Sequence, residues 1–252
     1  MKNFTTDAIN IKTYPLSEFD NIVVMFSKQK GLIKGVARGV KRPKSKLGAR
    51  MQMLVANKLM LYEGKNLNTV CQAQALNTFS KTRQNLDKLS YSLYLAEIIG
   101  AFCQAGEDKN NENIYELFYA ALFEISESKD IVEILLNTLK FQLGFMQMLG
   151  YGIELERCLV CGNAASENSV FSLLEGGIVC GGCKSYQGER VKIPLKIREF
   201  LLALSGAKPG VATKYDELVN EKVVHVCFSL LKKYINTQSS RPIKSLSVLG
   251  CL

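Results

Sequence analysis

Two pairs of cysteines constrain the fold of this chain more than any other feature of its sequence. Cys158 and Cys161 form the first pair, Cys180 and Cys183 form the second, and two residues separate the members of each pair. Two intervening residues allow one tight turn to direct both sulfur atoms to the same ion, and four thiolates fill the tetrahedral shell of Zn²⁺. The pattern therefore predicts one structural zinc ion that has no open position for catalysis and stabilises a segment with a small apolar core.

The segment between the two pairs supports this interpretation. An apolar run at 170–173 precedes a glycine turn at 175–177, so residues 169–179 are predicted to form a hairpin that brings the pairs together. The alternative is a set of four buried or redox-active cysteines. The other cysteines have no partner at ligand spacing and are interpreted as ordinary buried or terminal thiols; they are Cys71, Cys103, Cys227 and Cys251.

The net charge of +9 comes from one part of the chain. Residues 1–78 contain 13 Lys and Arg against 4 Asp and Glu, whereas residues 79–252 contain 19 of each sign. An excess limited to one third of a protein indicates a local surface that faces a polyanion. The alternative is a solvated basic face that binds nothing.

The basic residues concentrate in the segment 28–50, which contains no acidic residue. Such a cluster neutralises phosphates and releases counterions, which gives affinity without sequence reading. We therefore expect its cations to contact DNA. They are Lys28, Lys30, Lys34, Arg38, Lys41, Arg42, Lys44, Lys46 and Arg50. A localisation signal fits less well because glycines and apolar residues interrupt the charges, and a membrane-surface helix fits less well because helical spacing is absent.

Residues 4–76 contain five short apolar runs, including 32–40 and 51–62, that are separated by turn residues. Five strands in so short a segment predict a small closed or partly open barrel, with glycines at tight bends. A barrel that binds single strands usually stacks bases on aromatic side chains. The candidates for stacking are Tyr14, Phe19, Phe26 and Tyr62, and the barrel core is the alternative location for each.

From Asn77 onward the apolar period becomes helical. The pattern predicts a first helix that is capped at Asn77 or Thr78, carries Leu86 on its apolar stripe and ends near Gly106. A second helix is predicted around 114–125 and a third from Asp130 to about Gly150.

Two further helices are predicted, one beginning after Pro194 and one covering about 215–235. The single histidine, His225, is placed in the apolar stripe of the last helix together with Val226. The fold class that results is an α+β multidomain protein. A barrel domain at residues 1–78 precedes a helical domain at 79–252, which contains the zinc-binding insert at about 151–190.

Recognisable catalytic patterns are absent from the sequence. It contains no GxxxxGK[ST] loop and no Ser/His/Asp or Cys/His constellation, and its carboxylates are spread over predicted helix surfaces. We therefore expect a protein that is not an enzyme. The N-terminal residues lack an apolar signal segment, and the apolar stretch 141–153 is too short to span a bilayer, so we expect a cytoplasmic protein without a membrane partner.

A basic barrel, a helical body and a four-cysteine insert, in this order, resemble the RecO family of bacterial recombination mediators. The resemblance covers essentially the whole chain. It rests on Gly31-Leu-Ile-Lys-Gly35-Val-Ala-Arg-Gly39 with the following Val-Lys-Arg-Pro-Lys-Ser45, on the two cysteine pairs, and on Arg241-Pro-Ile-Lys-Ser-Leu246.

The resemblance implies an OB-fold N-terminal domain, the four cysteines as zinc ligands and the basic residues as DNA contacts. It also implies binding to single- and double-stranded DNA, annealing of complementary strands, and a nucleoid-associated location in the cytoplasm. The implied partners are RecR and the single-strand-binding protein, with a functional link to RecA, which is loaded onto coated single strands. The alternatives are a zinc-containing enzyme that acts on RNA or nucleotides, and a ribosome-associated factor with the same barrel.

Overall fold

The computed structural model describes residues 3–183, 188–206 and 219–245. Its contacts divide the chain into two compact units. The first unit contains residues 1–128 and the C-terminal residues from 243, and the second contains residues 129–242. The domain division predicted between residues 78 and 79 lies inside the first unit and stays a prediction.

The first unit begins with a closed five-stranded barrel. Its strands are β1 (Asn3–Pro15), β2 (Asn21–Ser27), β3 (Gly31–Ala37), β4 (Ala56–Tyr62) and β5 (Asn68–Asn77), in the order β1-β2-β3-β5-β4. The β3–β5 pair is parallel and the others are antiparallel. A bulge between Asn10 and Lys12 allows the long β1 to pair with β4 along its first half and with β2 along its second. The predicted α+β class with an N-terminal OB-type barrel is confirmed.

The barrel interior follows the two-residue period of its strands. Val23 and Met25 of β2, Ile33 of β3, and Leu59 and Leu61 of β4 all belong to one buried cluster. Burial of each such side chain contributes about 1.5–3 kcal/mol. The interior is therefore filled by side chains and closes without a ligand.

Two of the predicted strand runs were too long. β3 ends at Ala37 rather than at Val40, and β4 begins at Ala56 rather than at Met51. Val40 and Met51 are buried nevertheless, because they pack into the barrel cluster from the connecting loop. Apolar side chains at the end of a barrel thus imitate a strand pattern in the sequence.

Helices follow the barrel in the first unit: a 3₁₀ helix (Ser80–Gln84), α1 (Leu86–Phe102) and α2 (Asn111–Glu127). The predicted cap at Asn77 or Thr78 was wrong. The Asn77 side chain accepts a hydrogen bond from the Phe79 N–H at 2.8 Å and forms a turn. Asn85 caps α1 by accepting from the Lys88 N–H at 3.0 Å. Leu86 at the start of α1 is 68% exposed and is not part of its apolar stripe.

The second unit combines three helices with a small sheet. Its elements are α3 (Ile131–Met148), β6 (Val170–Ser172), β7 (Gly177–Val179), β8 (Arg190–Lys192), α4 (Leu195–Ser205) and α5 (Glu221–Gln238). The predicted start of the third helix near Asp130 is confirmed, and the Asp130 carboxylate caps α3 by accepting from the Glu133 N–H at 3.0 Å. The predicted hairpin is β6–β7, and β8 pairs with the other edge of β6.

The last helix differs from its prediction. Asn220 caps α5, so the described helix begins at Glu221, and residues 215–218 of the predicted helix lie outside the described residues. His225 is exposed, with its Nε2 3.9 Å from Oε1 of Glu221, and Val226 is exposed as well. The apolar stripe instead contains Val224, Cys227 and their helical neighbours. The prediction that His225 and Val226 lie on the apolar stripe was therefore wrong, because the buried stripe is shifted by about one residue along the helix.

The segment that follows α5 is fixed within the first unit by one carboxylate. Glu97 of α1 accepts hydrogen bonds from the Lys244 and Ser245 N–H groups, each at 2.8 Å, and from Oγ of Ser245 at 2.5 Å. Ile243 beside them is buried. Within the described residues, no helix is long and apolar enough to cross a membrane.

Candidate nucleic-acid interface and metal centre

The segment of residues 38–50, hereafter the basic loop, connects β3 to the residues before β4. Its charged side chains are exposed; they are Arg38, Lys41, Arg42, Lys44, Lys46 and Arg50. Its apolar side chains Val40 and Leu47, with Met51 just after it, pack into or against the barrel cluster. Because the apolar residues fix the loop to the barrel end, its cations lie on the outside.

The first half of the basic loop is held by the β1–β2 turn. The Asp20 carboxylate accepts from the Gly39 N–H at 2.7 Å, and this hydrogen bond is the main reason that the pKa of Asp20 is lowered. The Phe19 carbonyl accepts from the Lys41 N–H at 3.1 Å, and Nζ of Lys41 donates to the Ser17 carbonyl at 3.1 Å. Three acceptor groups of one turn, one carboxylate and two backbone carbonyls, thus set the position of the loop.

The second half of the basic loop is held by two buried asparagines. The Asn10 amide donates to the carbonyls of Arg50 and Gln52, both at 2.8 Å. The Asn57 amide also donates to the Arg50 carbonyl at 2.8 Å. Both asparagines are fully buried inside the barrel end. Neither asparagine was predicted to hold the loop, because the only sequence signal of each is a polar residue at an inward position of an otherwise apolar strand.

The four aromatic candidates for stacking separate into two groups. Phe26 is fully buried and Tyr62 is half-buried. Tyr14 is 42% exposed, and Nζ of Lys12 lies 4.9 Å from its ring centroid. The Phe19 ring lies 5.1 Å from the Arg42 guanidinium carbon. Tyr14 on β1 and Phe19 in the β1–β2 turn thus each have a cation beside the ring, whereas Phe26 belongs to the core.

Two of the nine predicted DNA contacts already form salt bridges with carboxylates. Nζ of Lys28 lies 2.7 Å from a Glu116 oxygen and 3.1 Å from a Glu112 oxygen, and these hydrogen bonds raise the pKa of Lys28. Nζ of Lys30 lies 3.9 Å from a Glu63 oxygen and 4.6 Å from the Phe4 ring centroid. The structure therefore separates these two lysines from Lys34 and the six cations of the basic loop, all of which are exposed.

The four paired cysteines meet in the second unit. Their sulfur atoms all lie within 4.8 Å of one another. Three of the separations are 3.9 Å for Cys158 and Cys183, 3.7 Å for Cys161 and Cys180, and 3.6 Å for Cys180 and Cys183. A tetrahedral ion with metal–sulfur distances of about 2.3 Å requires sulfur atoms about 3.8 Å apart. The cluster therefore has the dimensions of a site for one metal ion.

Short turns and the small sheet position these sulfur atoms. Cys158 begins a turn that ends with the Gly162 N–H donating to its carbonyl at 2.9 Å, and Gly162 has a φ of 72° that favours glycine. The Leu159 N–H donates to the Ile178 carbonyl at 2.8 Å and joins this turn to β7. Cys180 directly follows β7, so the hairpin carries the second pair to the first.

The protonation equilibria of the cluster suit a cation. Burial opposes ionisation of Cys158, but N–H groups of Cys180, Cys161 and Val160 point at its sulfur and lower the pKa of Cys158 to about 6. The sulfurs of Cys180 and Cys161 raise the pKa of Cys183 to about 12. Four ionised thiols at this spacing therefore need a positive charge at their centre.

The remaining cysteines lie elsewhere. Cys103 and Cys227 are largely enclosed, and burial raises the pKa of each thiol to about 12. Cys71 is exposed on β5. Cys251 lies outside the described residues. Among the described cysteines, only the four paired ones meet in a group with metal-ligand geometry.

Fold and sites together define a class of protein with a basic five-stranded barrel, a helical body and a four-cysteine metal centre. Residues 1–79 match the family described as Recombination protein O N terminal, and residues 83–247 match Recombination protein O C terminal. The chain therefore belongs to the RecO family of DNA repair proteins.

Individual relatives are similar over nearly their whole length. The DNA repair protein RecO of Pelotomaculum thermopropionicum is 30% identical, with 99% of this chain and 94% of the relative covered. The protein of the same name from Gloeobacter violaceus is also 30% identical, over 98% and 93%. The one from Desulforamulus reducens is 29% identical, over 100% and 96%.

Proposed function

We propose that this protein is a recombination mediator that binds DNA and anneals complementary strands, and that it has no catalytic activity of its own. In this role it acts with RecR to load RecA onto single strands coated by single-strand-binding protein. It works in the cytoplasm, at the nucleoid. Membership of the RecO family supports the repair role, and the basic loop supports the DNA contact.

The observation that carries this proposal is the construction of the basic loop. Six exposed cations occur in 13 residues without an acidic one. Their backbone is fixed at Gly39 by Asp20 and at Arg50 by Asn10 and Asn57. A fixed loop loses little conformational entropy when it binds, so more of the electrostatic attraction appears as affinity.

The proposed DNA contacts differ in strength. The six cations of the basic loop, together with Lys34 on β3, are the main contacts because they are exposed and most have no acidic neighbour. Lys28 and Lys30 contribute less, since Glu116, Glu112 and Glu63 already compensate part of their charge. Tyr14 and Phe19 beside the loop supply surfaces on which bases stack.

Annealing follows from the same electrostatics. Two complementary strands repel each other through their phosphates, and a dense positive surface reduces that repulsion without consuming ATP. Contacts to phosphates carry no sequence information and leave base edges available for pairing. A surface of lysines and arginines therefore suffices for a mediator of annealing.

The metal of the second unit is proposed to be Zn²⁺. Cys158, Cys161, Cys180 and Cys183 hold it, and four thiolates leave no open coordination position. The ion stabilises the fold of the small sheet and takes no part in a reaction. The tetrahedral sulfur spacing supports this assignment, because zinc is the metal that most often occupies a four-cysteine site with structural function.

The test of the proposal is a fourfold charge reversal in the basic loop: Lys41, Arg42, Lys44 and Lys46 to Glu. We expect loss of measurable binding to single-stranded DNA and loss of strand annealing. Neutral substitution of the same residues by Ala is expected to reduce the slope of log affinity against log salt by about 3. The readouts are fluorescence anisotropy and an annealing assay without ATP, each across a salt series.

A matched control changes the charge equally at another place. Lys129, Lys196, Lys222 and Lys233 are exposed in the second unit, and their reversal to Glu is expected to leave DNA affinity within a few-fold of the wild type. If both fourfold variants lose binding equally, net charge rather than the loop is responsible. Unchanged affinity of the loop variant at low salt, or turnover of a nucleic acid by the purified protein, contradicts the proposal.

A further inference from the structure

A cleft of about 650 Å³ lies on the outer surface of the first unit, beside β3. Its walls come from the start of β3, the β4–β5 turn and the connection between α1 and α2. The lining includes the apolar residues Val24, Leu32 and Ala105, the polar residues Asn66, Asn68 and Gln104, and the charged residues Lys30, Lys34 and Glu107. The volume lies in the range of about 300–1,000 Å³ that is typical of ligand sites.

The cleft exists because two different partners cover the edge of β3. At its start, the Leu32 N–H donates to the Gln104 carbonyl at 2.9 Å, and Gly31 is bridged to Ala105. Further along, β3 pairs with β5 only at Gly35 and Val36. The α1–α2 connection and β5 therefore leave a gap between them, and the cleft opens in that gap.

Hydrogen bonds fix both walls of the cleft. The Asn111 amide donates to the Gly106 carbonyl at 2.9 Å, and the Gly106 N–H donates to the Lys30 carbonyl at 3.0 Å. On the opposite wall the Asn68 amide donates to the Lys34 carbonyl at 3.1 Å. The site is thus formed in the absence of a ligand, which reduces the entropic cost of filling it.

The lining matches the chemistry of a nucleotide. Val24 and Leu32 supply apolar surface for the face of a ring, and the amides of Asn66 and Gln104 are exposed for hydrogen bonds to ring edges. Lys34 supplies positive charge for a phosphate; Lys30 adds to it although Glu63 compensates part of its charge, and Glu107 is the acidic residue of the lining. Among the described residues, Lys34 forms no salt bridge, so its charge is available.

We propose that this cleft accepts one unstacked nucleotide of single-stranded DNA, and that the protein therefore binds single strands more tightly than duplexes. The inference rests on the proposed DNA-binding function. Lys34 lies on β3 and Arg38 follows four residues later, directly after the strand ends at Ala37, which is about 13 Å of extended chain, so a single strand can contact the cleft and the basic loop together. Bases in a duplex are paired and stacked, and reaching the cleft requires them to be unstacked.

The experiment compares three ligands of equal length: a thymidine oligonucleotide, an abasic oligonucleotide with the same phosphates, and a duplex. We expect the wild-type protein to bind the thymidine strand about tenfold more tightly than the abasic strand, as one stacked base provides. Ala105→Phe fills the cleft and is expected to reduce this difference to the part that stacking on Tyr14 and Phe19 supplies, with abasic and duplex affinities within twofold of the wild type. Ala105→Ser is the control that keeps the cleft open and is expected to retain the preference.

A second variant distinguishes filling of the cleft from misfolding caused by Ala105→Phe. Asn66→Trp fills the cleft from the opposite wall and is expected to act as Ala105→Phe does, with thermal unfolding showing that both are folded. Equal wild-type affinity for thymidine and abasic strands overturns the cleft while DNA binding stands. A folded, filled variant whose preference for the thymidine strand is undiminished also overturns it. Absence of salt-dependent binding to all three ligands instead contradicts the proposed function itself.

Discussion

The barrel and the cysteine-bearing sheet are both small β-structures, but they are stabilised in different ways. The barrel strands have 7 to 13 residues and close on themselves, so that their hydrogen bonds continue around the barrel. The strands of the β7-β6-β8 sheet have three residues each. A sheet of that size buries too little apolar surface to be stable alone. From this difference we expect the small sheet, and not the barrel, to depend on a bound metal ion.

The side chains that support each structure differ in the same way. Inside the barrel, apolar residues and the amides of Asn10 and Asn57 fix the connecting loop. In the second unit, Phe171 of β6 packs edge-on against Tyr234 of α5 at a centroid distance of 5.8 Å. The Tyr234 hydroxyl donates to the Tyr151 carbonyl at 2.9 Å. One aromatic contact and four thiolates therefore take the place of a closed ladder.

Removal of the metal sharpens this comparison most. We expect Cys161→Ser with Cys180→Ser, or a strong chelator, to disorder the β6–β7 hairpin while the barrel stays folded. Structural zinc contributes on the order of 10 kcal/mol in small peptides, so the loss is the largest of those predicted. Hydrogen exchange at Ile178 against Leu59, with zinc measured by elemental analysis, is the readout.

The exposed Cys71 supplies a matched control for the metal test. Cys71→Ser is expected to retain one zinc ion per chain and the protection of both regions. A metal-free wild-type protein with an intact hairpin shows that the sheet does not need the ion. The contrast with the barrel then disappears.

Substitution of two glycines tests how much the stability of the barrel depends on its backbone geometry. Gly31 and Gly39 have nearly equal positive φ values of 60° and 62°. A Cβ at Gly31 lies 2.4 Å from the Gln104 carbonyl oxygen, whereas the nearest atom to a Cβ at Gly39 is 3.6 Å away. We expect Gly39→Ala to cost about 1–2 kcal/mol from strain alone and Gly31→Ala about 1–3 kcal/mol more.

Urea denaturation of the two glycine variants measures the difference. Because the strain is common to both, the excess cost of Gly31→Ala reports the close approach of the α1–α2 connection to β3. Equal losses of unfolding free energy in the two variants indicate that the α1–α2 connection moves away freely. The barrel edge is then held less firmly than the hydrogen bonds of Leu32 and Gly106 indicate.

Lowering the pH is expected to have the smallest effect on the unfolding free energy, and this effect arises in the first unit. Burial raises the pKa of Glu97, but hydrogen bonds from Ser245 and Lys244 outweigh it, so the folded-state pKa lies below the ordinary value of 4.5. A group with a lowered pKa stabilises the fold fully above its unfolded pKa, and this stabilisation is lost as pH falls through the folded pKa. We expect the wild type to lose a small part of its unfolding free energy below about pH 4.5.

Glu97→Gln isolates that contribution. The variant is expected to be slightly less stable than the wild type at pH 7 and to show a flatter dependence between pH 5 and 3. Denaturant unfolding at several pH values provides the measurement. Parallel curves for the two proteins indicate that Glu97 does not anchor the C-terminal segment by its charge.

Much of the architecture was predictable because it follows from local periodicity. The alternating runs predicted the barrel, and the start of the third helix near Asp130 and the hairpin before Cys180 were predicted from short patterns. Errors occurred where tertiary packing overrides local pattern. Val40 and Met51 imitate strand residues because they fill the barrel end, and Asn77 forms a turn rather than a cap.

The sequence by itself determined the kind of site: four thiols at ligand spacing and a run of cations free of acids. These properties depend only on residue type and on distance along the chain. Tertiary structure alone decided which cations are compensated, since Glu112 and Glu116 reach Lys28 from a helix more than 80 residues away. It also decided that Asn10 and Asn57 fix the basic loop and that a cleft opens beside Lys34. Contacts between distant segments depend on the tertiary fold of the whole chain, and local sequence patterns do not contain that information.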